Sequence, residues 1–282
     1  VFSIKHPVVL GFWESRLAGT KKIVHKIIKL ISRLGIDEMN KYSKKIFAVS
    51  IMAVMTAIVG LNVQAHTRLE TATINENTRT ANNVVIGHGC GESSVIGTSV
   101  VFPDGVDSTI TVDGAAHTGA LADFVQNWGN ANQKILNRAV FSYEDEKTDT
   151  NGNVVGFWAG GGSSLPHQLL GFIPFRTSAV IIEPKKKKKS VKFYISIADI
   201  CQITPTSGFS DETVNLWTHT GLGTPYDRVS ATDDGPASLI ITRTSTLPAS
   251  CGAGVAVEVK PSAAQINRDM PIKIDCSQVW PK

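Results

Sequence analysis

An uncharged run near the N-terminus decides how much of this chain is free to build a domain. Residues 46–61 (IFAVSIMAVMTAIVGL) carry no charge, follow the basic stretch 39–45 (MNKYSKK) and are closed by Asn62-Val63-Gln64-Ala65. A basic start, an apolar centre and small residues at Val63 and Ala65 make the three-part pattern of a secretory signal. The run is also just long enough to span a bilayer. Against an anchor, no basic cluster follows, and the next positive charge is Arg68. The sequence therefore predicts a signal peptide over 39–65 and a finished chain that begins at His66. Residues 1–38 read as a mis-started or cytosolic extension, with Met39 in the natural place for a start. Within them, 21–36 (KKIVHKIIKLISRLGI) has the character of a basic amphipathic helix.

Charge divides at the same place. Residues 1–65 hold 10 Lys and Arg against 3 Asp and Glu, whereas residues 66–282 hold 18 against 21. The overall charge of +4 is a property of the leader. The remainder has no basic field to attract nucleic acid, and that class of partner is set aside.

All four cysteines (Cys90, Cys201, Cys251 and Cys276) follow Ala65. An even count in an exported chain predicts disulfides, and four cysteines allow three connectivities. Order along the chain favours Cys90–Cys201 with Cys251–Cys276. A thiolate metal site is the alternative, but C-x-x-C spacing is absent.

Branched residues recur in short runs at 83–86, 95–102, 108–112, 178–182, 191–197, 238–243, 254–259 and 272–274. Turn residues punctuate them, as in Pro103-Asp104-Gly105 and Asn151-Gly152-Asn153. The one helix-like stretch is 120–137. The pattern predicts an all-β, immunoglobulin-like β-sandwich clamped by disulfides. Its main part is expected over 66–220 and a C-terminal β extension of the same domain over 221–282.

The candidate chemistry lies in histidines. At a mature N-terminus His66 combines an α-amine with an imidazole, and the two nitrogens can close a chelate ring on one metal ion. The amine, with a reference pKa of about 8, loses its proton readily to a competing metal. Copper suits such nitrogen donors. His88 stands between two glycines in GHGCGES, where small neighbours let its ring approach a partner. Trp217 and His219 are two apart and would share one face of a strand, the indole covering a cation with its π face. His117 and His167 occupy loop-like contexts as solvated histidines, either able to complete a coordination shell. The blander reading leaves His66 on a frayed terminus, His88 and Trp217 in the core and His219 at the surface.

Other features carry less. Residues 185–189 are five lysines, read as a solvated hairpin tip. Asp149-Thr150-Asn151-Gly152-Asn153 begins like a calcium loop, but Val154 stands where glycine is required. G-x-S-x-G, H-E-x-x-H and phosphate-loop motifs are absent, and the chain is not expected to be an enzyme.

Several motifs in order resemble a known family. H-x-x-L-E from His66, then GHGCGES, SVVFPDG, FWAGGGSSLP, VKFYISIADIC and Trp217 look like the YcnI-like copper-associated domain of exported bacterial proteins. VIGTSVVFP is also similar to the copper-repressible surface proteins CorA and MopE of methane-oxidising bacteria. The resemblance spans residues 66–219. It implies copper held by the amine and ring of His66 with Trp217 close by. It also implies a carboxylate shortly after the Leu-Pro pair, yet Leu165-Pro166-His167-Gln168-Leu169-Leu170-Gly171-Phe172 has no acid. His167 or His219 would then take that place. In the second group two histidines and an oxidised tryptophan hold the metal, and Trp217-Thr218-His219 is similar in kind.

The expectation is a periplasmic, secreted or cell-surface protein for copper acquisition, storage or delivery. Its partners would be the copper ion and a membrane copper transporter or another copper carrier. Alternatives are a metal-free structural or adhesive surface domain, and a copper oxygenase built on the N-terminal histidine. N-terminal sequencing of the exported protein is expected to begin His-Thr-Arg-Leu-Glu; a start upstream of Met39 would overturn the leader assignment.

Overall fold

The computed structural model describes residues 66–282 apart from 130, 184–186, 229–234 and 248. The expected signal peptide over 39–65, the expected extension over 1–38, and Lys185 and Lys186 lie outside the described residues. Gln64–Lys282 is one compact unit. In chain order the strands are β1 (Arg68–Leu69), β2 (Thr73–Asn75), β3 (Thr80–Ile86), β4 (Val95–Val101), β5 (Ser108–Val112), β6 (Ala115–His117), β7 (Val125–Gln126), β8 (Asn132–Lys134) and β9 (Tyr143–Thr148). There follow β10 (Val154–Leu165), β11 (Gly171–Thr177), β12 (Ile181–Ile182), β13 (Lys188–Ile200), β14 (Val214–Trp217), β15 (Ala237–Thr242) and β16 (Val255–Pro261). Helix α1 (Ala263–Asp269) and the hairpin β17 (Ile272–Ile274) and β18 (Ser277–Trp280) close the chain.

Two sheets face each other. The smaller runs β1-β3-β11-β8 and the larger β6-β5-β16-β13-β4-β10-β9, with β14 and β15 also paired to β13. Strands β4 and β10 obey period-two alternation. Val100 and Phe157 point into the space between the sheets, and Val101 and Trp158 point away from it. Val84, Ile86, Ile173 and Phe175 of the smaller sheet complete the inner core. Phe175 meets Phe102 at 5.5 Å and Phe157 at 5.9 Å between ring centroids, so aromatic contacts tie one sheet to the other. The chain is an all-β sandwich, as the strand pattern predicts.

The outward residues of the larger sheet are covered by a third layer. Ile266 and Met270 from the α1 region, with Ile272 and Trp280 of the hairpin, pack on Val101, Trp158, Ala198 and Ile200. Ser262 caps α1 by accepting a hydrogen bond from the Gln265 amide at 3.1 Å. Arg268 bonds to Asp104 and Asp107 in the loop after β4. Lys147 anchors the other side, donating to Ser99 Oγ and to the carbonyls of Asp269 and Met270. Among the described residues no helix is long and apolar enough to cross a membrane.

Several expectations need correction. Residues 120–137 do not form a helix. They give a 3₁₀ turn at Leu121–Asp123, then β7 and β8. Leu121, Phe124, Val125 and Trp128 are all buried in the inner core, where Trp128 stacks on Phe193 at 3.5 Å and donates to the Pro103 carbonyl at 2.6 Å. Their spacing imitates a helical face while serving a loop folded over the sandwich edge. Lys188 is buried at the start of β13, its ammonium 3.6 Å from the Phe124 ring centroid and bonded to the Asp123 carbonyl. Among the described residues β12 pairs with β7 and not with β13, so the lysine run is not the tip of a hairpin. Cys90–Cys201 is a disulfide. Cys251 and Cys276 are free thiols, one in the turn before β16 and the other at the exposed tip of the β17–β18 hairpin. Residues from 221 onward supply β15 and β16 to the middle of the larger sheet as well as the third layer.

Burial lowers the Lys147 amine to about 7, against attraction from Asp269 and with repulsion from Lys273. Between that value and the ordinary 10.5, the unfolded chain binds more protons than the folded one, so stability rises with pH across this window. Urea denaturation at pH 7 and pH 9.5 is expected to show that rise, and Lys147→Met to flatten it.

Candidate metal centre

The centre is built where β14 joins the end of β13. Ile197 pairs with Trp217 and Asp199 with Asn215 in antiparallel register. This puts Asp199 on the same sheet face as the indole, one diagonal step away. Trp217 is only 5% exposed and Asp199 is fully buried. Trp217 Nε1 donates to Asp199 Oδ2 at 2.8 Å and Thr98 Oγ1 to Oδ1 at 2.9 Å. Thr67 Oγ1 donates to Oδ2 as well. Burial pushes the Asp199 carboxyl up; the bonds from Thr67, Thr98 and Trp217, and then the nearby His88, act in the opposite direction. A hydrogen bond to a charged acceptor contributes roughly 1.5–3 kcal/mol, and burying one ion costs several kcal/mol. The three donors offset part of that cost, and burial remains the largest influence on the group.

Two imidazoles meet this indole. His66 lies 5.1 Å from Trp217 between ring centroids, at 66°, and His88 lies 5.9 Å away, at 86°. His66 is positioned by its chain neighbours: Thr67 is tied to Asp199, and Arg68–Leu69 pairs with Val84 and Val85 of β3. His88 sits on the loop that leaves β3, and four contacts hold that loop. Asn215 Nδ2 donates to the Gly89 carbonyl at 3.0 Å, and the Gly89 amide donates to the His167 carbonyl at 3.1 Å. Gly89 is required there, since a Cβ would lie 1.9 Å from the Ser93 carbonyl oxygen and 2.8 Å from His167 Cβ. The Cys90–Cys201 disulfide then fastens the loop to the strand that carries Asp199. His88 Nδ1 bonds to the Gly89 carbonyl at 2.5 Å. A carbonyl only accepts, so Nδ1 is the donor in this contact and Nε2 is the ring nitrogen left outside it, the arrangement metal-ligating histidines use.

His66, His88, Trp217, Phe209 and Arg228 line one cavity of about 660 Å³. The Arg228 guanidinium is 5.2 Å from the indole centroid. Among the described residues no three His, Cys, Asp or Glu side chains gather as a metal site.

The structure thus unites His66, His88 and Trp217 and leaves the other predicted histidines elsewhere. His219 packs on Tyr194 at 5.0 Å, and burial lowers its ring to about 4. The strand ends at Trp217, so the two-residue alternation expected for Trp217 and His219 does not apply. His167 Nε2 faces the exposed Glu92 at 3.3 Å, and its contribution to the centre is the backbone carbonyl that braces Gly89. His117 pairs with Asp123 at 3.1 Å. Asp199 escaped the sequence reading, although it is the one acid in the otherwise apolar and basic run VKFYISIADIC.

No protein-family model matches the chain, and no curated protein matches it in sequence. Among solved structures it is similar to an uncharacterized Nocardia farcinica protein with an immunoglobulin-like fold, at TM-score 0.32 and 10% identity over 64% of this chain and 99% of that one. It is also similar to a type II cohesin domain from the cellulosome of Acetivibrio cellulolyticus, at TM-score 0.26 and 11% identity over 62% of this chain and 92% of that one. The sandwich itself is established by the sheet pairing described above.

The disulfide closes a loop with a sequence separation of 111, so its removal frees a long segment of the unfolded chain. Replacing Cys90 and Cys201 together by serine is expected to lower stability by about 2–5 kcal/mol, read from urea denaturation of the two proteins.

Proposed function

We propose that this chain is an exported copper-binding protein. It holds one copper ion at His66 and His88 beside Trp217 and serves copper acquisition, storage or delivery. The observation that carries the reading is that both imidazoles contact one buried indole inside one cavity. The donors fit the ion: His88 keeps Nε2 free for a ligand bond through its Nδ1 contact to Gly89, and nitrogen donors suit copper. Two imidazoles are one donor short of a three-nitrogen set. Signal cleavage after Ala65 would supply the third donor as the α-amine of His66. The Trp217 π system borders the ion and excludes water. Export to the periplasm, the medium or the cell surface agrees with a disulfide that persists in oxidising compartments. A membrane copper transporter or another carrier would receive the metal.

The test is a copper titration of two disulfide-bonded proteins, one beginning at His66 and one with a single glycine in front. The added residue leaves every side chain in place and moves the free amine off the histidine. Affinity is expected to fall at least about tenfold, which is about 1.4 kcal/mol. Equal binding by both would move the site to the internal histidines, and binding by neither would leave a metal-free structural domain.

A further inference from the structure

We propose that Asp199 is the positioning residue of this centre, acting on a bound cation through Trp217 and Thr67 without touching it. The inference rests on the copper reading above. Asp199 is absent from the described residues that line the cavity, so its carboxylate is not offered to an ion directly. Its two oxygens instead collect donors from three separate segments. Thr98 comes from β4, Trp217 from β14, and Thr67 from the residue next to His66.

Each of those segments has a bearing on the site. The indole is the surface that both imidazoles touch. Thr67 sets where the chain carrying His66 lies against the sandwich. Two residues beyond Asp199, Cys201 is bonded to Cys90, which itself lies two residues beyond His88. One buried carboxylate therefore stands where the supports of His66, His88 and Trp217 cross. Its chemistry suits a cation. An indole whose N–H donates to a carboxylate gains electron density in its ring, and a ring richer in electrons attracts a cation more strongly. Outer partners that orient ligands in this way commonly govern 10–100-fold in metal affinity.

Asp199→Asn separates charge from shape. The amide oxygen can still accept from Trp217 and Thr67, and the amide nitrogen can donate to the Thr98 hydroxyl, which rotates to accept. In the protein beginning at His66, this variant is expected to bind copper about 10–100-fold more weakly. Copper should also quench Trp217 emission less, measured against Trp217→Phe. Thr67→Val, which unpins the His66 segment alone, is expected to lose roughly tenfold, and it decides the matter should Asp199→Asn fail to fold. Thr98→Val removes the third donor but touches neither Trp217 nor Thr67. It is expected to bind within about threefold of the parent even where it melts earlier.

If Asp199→Asn and Thr67→Val both bind as the parent does while His66→Ala does not, the positioning role falls and the copper reading stands. If Thr98→Val loses as much affinity as Asp199→Asn, Asp199 serves the fold only. If His66→Ala also binds as the parent does, the copper reading is what fails.

Discussion

Lys188–Ile200 is a strand that must find backbone partners along its whole length inside the sandwich, and β13 does so by changing neighbours. Its first half pairs with β15 and β16, and its second half with β4 and β14. A buried strand with an unpaired edge would leave amides and carbonyls without hydrogen bonds, at a cost of about 1–3 kcal/mol for each. The change of neighbours near Ile195 and Ser196 therefore fixes where β14 ends and which residues it presents. The inner core is registered to the same strand: Phe193 stacks on Trp128, and Ile195 and Ile197 fill the space between the sheets.

The candidate centre is a consequence of that register. Because β14 joins only at the end of β13, Trp217 comes to rest one diagonal step from Asp199, in a place already closed to water by the two sheets. The carboxylate satisfies the indole N–H, and the indole satisfies the carboxylate. Around this fixed pair, two less constrained segments bring in imidazoles. One is the stretch leading into β1, and the other is the loop held by Gly89, Asn215 and the disulfide. A rigid floor and two tethered arms thus bring two ring-nitrogen groups to one indole from distant parts of the chain.

Much of this was legible along the chain, and the misses have physical causes. Runs of branched residues marked β4, β5 and β17 at their full extents and most of β13 and β15, because branched side chains suit a pleated, buried strand. Residues 120–137 carried a false helical signature. Leu121, Phe124, Val125 and Trp128 are spaced like one face of a helix, yet they reach the inner core from a 3₁₀ turn, a short strand and the loop after it. His219 was paired with Trp217 on the assumption that a strand continues through both, and the strand stops two residues earlier. Cys251 and Cys276 were matched by their order along the chain, but adjacency in sequence does not bring two separate turns together. The acid at the centre went unnoticed because a single Asp in a strand has no motif.

By itself the sequence determined that residues 66–282 build strands, and it singled out His66, His88, Cys90 and Trp217 as residues to place. These are local matters, set by side-chain type, period and the order of apolar and charged residues. Tertiary structure alone decided that His66, His88 and Trp217 meet while His167 and His219 stand apart, that one disulfide forms instead of two, and that Asp199 lies beneath the indole. Those outcomes depend on which strand ends adjoin across 132 residues between Thr67 and Asp199, a relation set by backbone pairing and burial and absent from any short stretch of chain.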